Sequence, residues 1–213
     1  MKSLIHEFQK KNMKTMSKKI VFGLFLFGAL ATSCSSDDDN GSTAPATGVL
    51  EGNITSDLTL NAETLYTLRG ATYVKPGVTI TIPAGTRIEA DASDAEVAFL
   101  AIEQGAKMIA QGTAAKPIVF TSNAAAPAPQ DWGGLVICGK AVTNLGVNVQ
   151  AEVTGLTYGG TTSNDNSGVY SHIIIEYSGN LINDDAEFNG ITFYAVGSET
   201  VVNNILVYQG SDD

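Results

Sequence analysis

Basic residues are scarce in this chain of 213 residues: 12 Lys and Arg stand against 22 Asp and Glu. Six of those cations fall within residues 1–33 beside a single acid, Glu7. The remainder therefore holds six cations against 21 acids, a formal charge of −15. Phosphate contacts need Lys and Arg, so nucleic acid and anionic headgroups are poor partners for such a surface. Histidine is rarer still, and beyond residue 33 only His172 remains. It borders the apolar run IIIEY, where it reads as a turn or core residue rather than a base. No Gly-x-Ser-x-Gly motif is present to mark a nucleophile. No apolar run reaches the roughly 20 residues that span a bilayer, and no stretch combines a 3.6-residue period with helix caps. Tryptophan occurs once, at Trp132, and cysteine twice, at Cys34 and Cys138.

The longest apolar run, residues 20–31, follows Lys18 and Lys19 and ends at the small residues Ala31, Thr32 and Ser33. Basic flank, short apolar stretch and small residues describe a secretory signal peptide. Translation from Met13 or Met16 would still supply a complete one. The next residue is Cys34, and the arrangement resembles a bacterial lipobox. There the thiol takes a lipid carrying acyl chains such as palmitate, and the chain is cut just before it. Only a thiol forms that thioether. Ser35, Ser36, Asp37, Asp38 and Asp39 then resemble the surface-export signal of Bacteroidota lipoproteins, which implies the outer leaflet of the outer membrane. Residues 40–47 lack large apolar side chains and cannot bury enough surface to fold. The expected division is thus a signal peptide over 1–33, an acidic tether over 34–47 and a folded domain over 48–213. With Cys34 lipidated, Cys138 has no disulfide partner and reads as a small buried residue inside LVICGK.

From residue 48 onward the chain alternates with period two. In GVTITIPAGT (77–86), Val78, Ile80 and Ile82 point one way and Thr79 and Thr81 the other. Pro76-Gly77 and Pro83-Ala84-Gly85 punctuate its ends. Short runs recur as TRIEA, FLAIE, AKMIA, PIVFTS, SHIIIEY, ITFYA and NNILVY, so the domain is expected to be all-β. Hairpin signals are few, since the Asn189-Gly190 pair lacks a clean hairpin frame. Weak self-similarity at about 25 to 31 residues suggests stacked coils instead. GVTITIPAGT echoes GAKMIAQGT (105–113), and IIIEYSG (173–179) echoes ILVYQG (205–210), with Tyr177 aligned to Tyr208 and Gly179 to Gly210.

The series TYVKPGVTITIPAGTRIEA, GAKMIAQGTAAKPIVFTS and DWGGLVICGKAVTN resembles a family of Bacteroidota outer-membrane lipoproteins. The resemblance runs from about Gly48 to the last residue. It implies a right-handed parallel β-helix, and that the familiar pattern continues past residue 213. Ala84 and Cys138 depart from the family pattern, both conservatively for packing. Some members carry a multidrug-transporter label. It does not suit this chain, which lacks both a membrane span and the roughly ten-residue alternating strands of a membrane barrel.

Few residues suggest chemistry. Asp184, Asp185 and Glu187 cluster, as do Asp212 and Asp213, and Asp165 lies between two asparagines. Ca²⁺ takes six to eight oxygen ligands, so the first cluster is a weak candidate for it; corner turns of a β-helix use the same residues anyway. No other cofactor is expected. The cations Arg69, Lys75, Arg87, Lys107, Lys116 and Lys140 all precede residue 141, so they are poorly placed to serve the later acids. Trp132, beside Gly133 and Gly134, is either a sugar-stacking platform or a packed corner, and packing is favoured. Two functions are expected. One is a non-catalytic surface lipoprotein displaying a binding face to glycans, host proteins or envelope components. The other is a carbohydrate-active lyase or hydrolase. Cys34→Ala is expected to abolish cleavage and partitioning into detergent. Unchanged partitioning of that variant in a phase-separation assay would remove the lipid anchor.

Overall fold

The computed structural model describes residues 44–153, 155–183 and 186–211. Cys34, residues 35–39, Asp184, Asp185, Asp212 and Asp213 lie outside them. Strands form where β-branched and apolar residues alternate, and they turn at Gly, Pro and Asx positions. The first coil holds β1 (Ala46–Ile54) and β2 (Leu58–Thr59), and the second β3 (Thr64–Val74) and β4 (Thr79–Ile82). The third holds β5 (Arg87–Ala90), β6 (Phe99–Ile102) and β7 (Lys107–Gln111). The fourth runs through β8 (Ile118–Ser122) and β9 (Leu135–Cys138). It then makes an excursion carrying β10 (Val149–Gln150) and β11 (Thr157–Tyr158) before entering β12 (Gly168–Glu176). A smaller excursion carries β13 (Leu181–Asn183) and β14 (Ala186–Glu187), followed by β15 (Ile191–Tyr194) and β16 (Val201–Tyr208).

These strands stack into three parallel columns. Column A is β1, β3, β5, β8, β12 and β16. Column B continues the ends of β1 and β3 through β6, β9 and β15. Column C is β2, β4, β7 and the first parts of β12 and β16. Long strands serve two columns by bending at a left-handed residue: Gly70 in β3 (φ 46°), His172 in β12 (φ 51°) and Asn204 in β16 (φ 53°). The architecture is a parallel β-helix, as expected. Its only antiparallel pairs among the described residues are the two excursion hairpins. No helix among them is long and apolar enough to cross a membrane.

In-register stacking builds the core. Tyr66, Ile88, Phe120, Ile175 and Val207 form one ladder in column A. Val74, Ile102, Ile137 and Phe193 form another in column B. In column C, Ile82 and Tyr170 sandwich the small Ala110. Tyr170 is wholly buried, and its hydroxyl donates to the Ser167 carbonyl at 3.0 Å. Burying each such side chain contributes about 1.5–3 kcal/mol.

Several details differ from the repeat read in the sequence. Ile80 stacks on Met108 as the echo implied. In contrast, Ile173 pairs with Ile205 and Glu176 with Tyr208. Tyr177 therefore corresponds to Gln209, not Tyr208; both are left-handed corners, at φ 61° and 51°. The stacking step is not constant either, from 18 residues (47 to 65) to 60 (108 to 168), because excursions lengthen individual coils. At the N-terminal end, β1 opens at Ala46, inside the stretch read as tether. Residues 48–68 form the first coil and part of the second, with Leu50, Leu60 and Leu68 in the common core.

Val78, Ile80 and Ile82 are buried at 7%, 0% and 1% exposure, while Thr79 and Thr81 are half-buried on the outer face. Ile80→Ala should therefore cost about 2–5 kcal/mol and Thr79→Ala no more than about 1. Denaturant unfolding of the two variants measures both, and equal losses would contradict the inward ladder.

Candidate polar cleft beside column B

Column B differs from its neighbours in being buried on both faces. Its outer side chains, Phe99, Ala101, Val136 and Cys138, form a second apolar cluster with Val153 and Leu156 of the long excursion and Phe188 beside the short one. Aromatic contacts bind the layers: Phe99 lies 5.0 Å from Phe188 and 5.6 Å from Tyr73, and Tyr158 stacks on Tyr194 at 4.7 Å. Burial pushes the Cys138 thiol up to about 12, with the Glu103 charge adding to it. That thiol is free and buried, as its sequence context suggested.

Where the long excursion meets the corner between columns B and C, it leaves a cavity of about 190 Å³. Pro76, Glu103, Gln104, Lys140, Gly155, Leu156 and Thr157 line it. Two consecutive coils supply the floor, since the 75–77 turn stacks on the 103–105 turn through the Gly77 N–H to Gly105 carbonyl bond. Gln104 ties down the excursion. Its Nε2 donates to the carbonyls of Gly139 (3.1 Å) and Gly159 (2.9 Å), and its Oε1 accepts from the Thr157 hydroxyl (3.3 Å). Lys75 forms an ion pair with Glu103 and lies 5.6 Å above the Tyr73 ring. Burial and the Glu103 charge both push the Tyr73 hydroxyl upward. Lys140 crosses Gly105, which sits at φ 84°; a Cβ there would lie 2.5 Å from the Lys140 Nζ.

Other predicted residues take structural places. Trp132 is fully buried, stacked on Phe120 at 6.4 Å, with its Nε1 donating to the Glu176 carbonyl at 2.7 Å. It offers no face to a sugar, and the platform reading is corrected to packing. Gly134 is required by close approach, because a Cβ would meet the Asn189 carbonyl oxygen at 2.1 Å. His172 is the left-handed corner of β12, its Nδ1 2.9 Å from the Ser171 hydroxyl. Asp165 is buried and accepts from Ser167 at 2.8 Å. Glu187 is exposed on β14, while Asp184 and Asp185 lie outside the described residues. Among the described residues no three His, Cys, Asp or Glu side chains come together to hold a metal. Asp91 is the most interlinked acid, with Arg69 at 3.4 Å and Ser93 and Asn123 donating to it. The Ser93 hydroxyl foremost holds its carboxyl below the usual range.

Glu103, Gln104 and Thr157 were not singled out from sequence. Part of the signal was there, because EQGAK (103–107) repeats the corner KPGVT (75–79) one coil later. The third wall comes from residues 155–157, some 50 positions on, and no local pattern announces that return.

Comparison with known families matches residues 52–213 to a model described as a pectate-lyase like beta helix domain. No curated protein and no solved structure matches the chain.

The buried thiol carries a pH consequence. Its ordinary value is 9.0, so an unfolded chain loses this proton above that pH while the folded chain keeps it until about 12. The stabilisation is complete below pH 9.0 and is lost as pH rises through that window. Cys138→Ala should therefore soften the alkaline fall in unfolding midpoint between pH 9.0 and 10.0, below the tyrosine range. Parallel declines in variant and parent would show that the thiol is not responsible.

Proposed function

Because the chain belongs to the pectate-lyase-like β-helix family, shown by the match over residues 52–213, we propose that it is a non-catalytic binding protein, anchored by lipid at Cys34 and displayed on the outer-membrane surface. The lipobox-like run to Cys34 and the export-like Ser35 to Asp39 support the location. The observation that supports binding over catalysis is the state of the cleft's carboxylate. Glu103 is committed to an ion pair with Lys75, and the cavity wall is fastened by Gln104 rather than left open around a free acid–base pair. A rigid coil stack with a cleft built from an excursion suits recognition, since loops carry binding while the scaffold holds them. The same fold and the Lys75–Glu103 pair also accommodate a carbohydrate-active lyase or hydrolase. Product release separates the two readings.

Thr157→Trp, which fills the cleft, should abolish capture on a glycan array by the full chain while leaving the unfolding midpoint close to the parent's. Capture that survives this change would move binding off the cleft, and time-dependent release of shortened glycan would establish an enzyme. Replacing Asp37, Asp38 and Asp39 together by Ala should keep the lipid but protect the protein from protease added to intact cells. Equal digestion of variant and parent would refute the export role.

A further inference from the structure

We infer that the turn at residues 141–148 settles into the surface of the bilayer that holds the lipid at Cys34, as a second and weaker contact with the membrane. This rests on the lipid-anchored reading above. Val142, Leu145 and Val147 are 63%, 64% and 56% exposed, three large aliphatic side chains on one turn of the long excursion. Single exposed aliphatics are ordinary on a protein surface, whereas a group of them marks a contact. No charged residue falls between Lys140 and Glu152, although the chain beyond residue 33 carries a formal charge of −15. The turn is also fixed in shape. The Leu145 N–H donates to the Thr143 hydroxyl at 2.9 Å, the Gly146 N–H to the Thr143 carbonyl at 3.3 Å and the Asn148 N–H to the Gly159 carbonyl at 3.1 Å. Donors already bonded within the excursion lose nothing when water is withdrawn, so they do not oppose burial of the aliphatic side chains.

The chemistry of the turn selects its occupant. Protein interfaces draw most of their binding energy from aromatic and Arg side chains, and stacking on sugars needs an aromatic ring. Residues 141–148 offer only Ala, Val, Thr, Asn, Leu and Gly. Aliphatic side chains partition into the boundary between headgroups and acyl chains, and the exposed Asn144 and Asn148 suit the headgroup layer above it. The anchor supplies proximity. β1 opens twelve residues after Cys34, and a chain of that length reaches at most about 40 Å. β9, from which the turn departs, lies three rungs from β1 in column B, about 14 Å along the stack. A contact between partners already tethered needs little affinity of its own, because tethering raises the effective concentration.

The test is the full chain with Leu145→Cys on a Cys138→Ala background, labelled with an environment-sensitive fluorophore and reconstituted in phosphatidylcholine vesicles. Vesicle flotation reports the anchor, and emission reports the turn. The chain should float, and its emission should shift to the blue and be quenched by lipids spin-labelled along the acyl chain. The same probe at Leu206→Cys, a comparably exposed side chain (52%) on the outer face of column A, should stay unquenched. Leu145→Asp with the probe at Val147→Cys should float as before and lose the quenching. A floating chain whose probe at 145 is no more quenched than the one at 206 would overturn the membrane contact and leave the anchor standing. Quenching at 147 that survives Leu145→Asp would overturn the role of the aliphatic side chains. A chain that does not float would overturn the anchored reading, and this contact with it.

Discussion

Parallel, in-register stacking of inward side chains is the constraint on which the rest of this molecule depends. No coil can bury its inner face by itself, so each rung is stable only against its neighbours. The ladder from Tyr66 to Val207 and the sandwich of Ala110 between Ile82 and Tyr170 are the direct expression of that requirement. A residue that is too large on one rung must be matched by a small one on the next. Registry also carries consequences outward, because a one-residue slip would turn every inward side chain to solvent. The corners bear the strain of keeping registry. His172, Asn204 and Tyr177 accept left-handed backbone that most residues avoid, and they hold it because the strands on either side are already paired.

Rigid columns permit long insertions, which is why the two excursions cost the stack nothing in alignment. Both fold onto column B and bury its outer face, so one side of the solenoid becomes two layers thick. The second apolar cluster of Phe99, Val136, Cys138, Leu156 and Phe188 follows from that doubling. So does the pushed-up thiol of Cys138, a small residue tolerated because it is covered from both sides. The clasp by Gln104 is the polar counterpart of this packing: its amide satisfies carbonyls near both ends of the excursion.

The cleft arises as a by-product of the same geometry. Two stacked corner turns bring Lys75 and Glu103 together, and the excursion brings Lys140 and Thr157 over them. Acidic residues elsewhere are absorbed by structure, as with Asp165 beneath Ser167 and Asp91 within its ring of donors.

The fold class and much of the core were legible in sequence, because period-two alternation reports a strand face directly. Val78, Ile80 and Ile82 show it, as does the repetition of that pattern at Met108. Registry was legible only where coils had similar lengths. The match of 173–179 to 205–210 slipped by one at its end, since a corner residue can be Tyr in one rung and Gln in the next. Trp132 carried two readings until packing against Phe120 and the Glu176 carbonyl showed it buried. The cleft belonged to tertiary structure alone. Its walls come from positions 76, 103–104, 140 and 155–157, and only the stacking of coils and the return of an excursion make them neighbours. Local sequence encodes which way a side chain faces; which side chains face each other is set by how many residues each loop spends before the next rung.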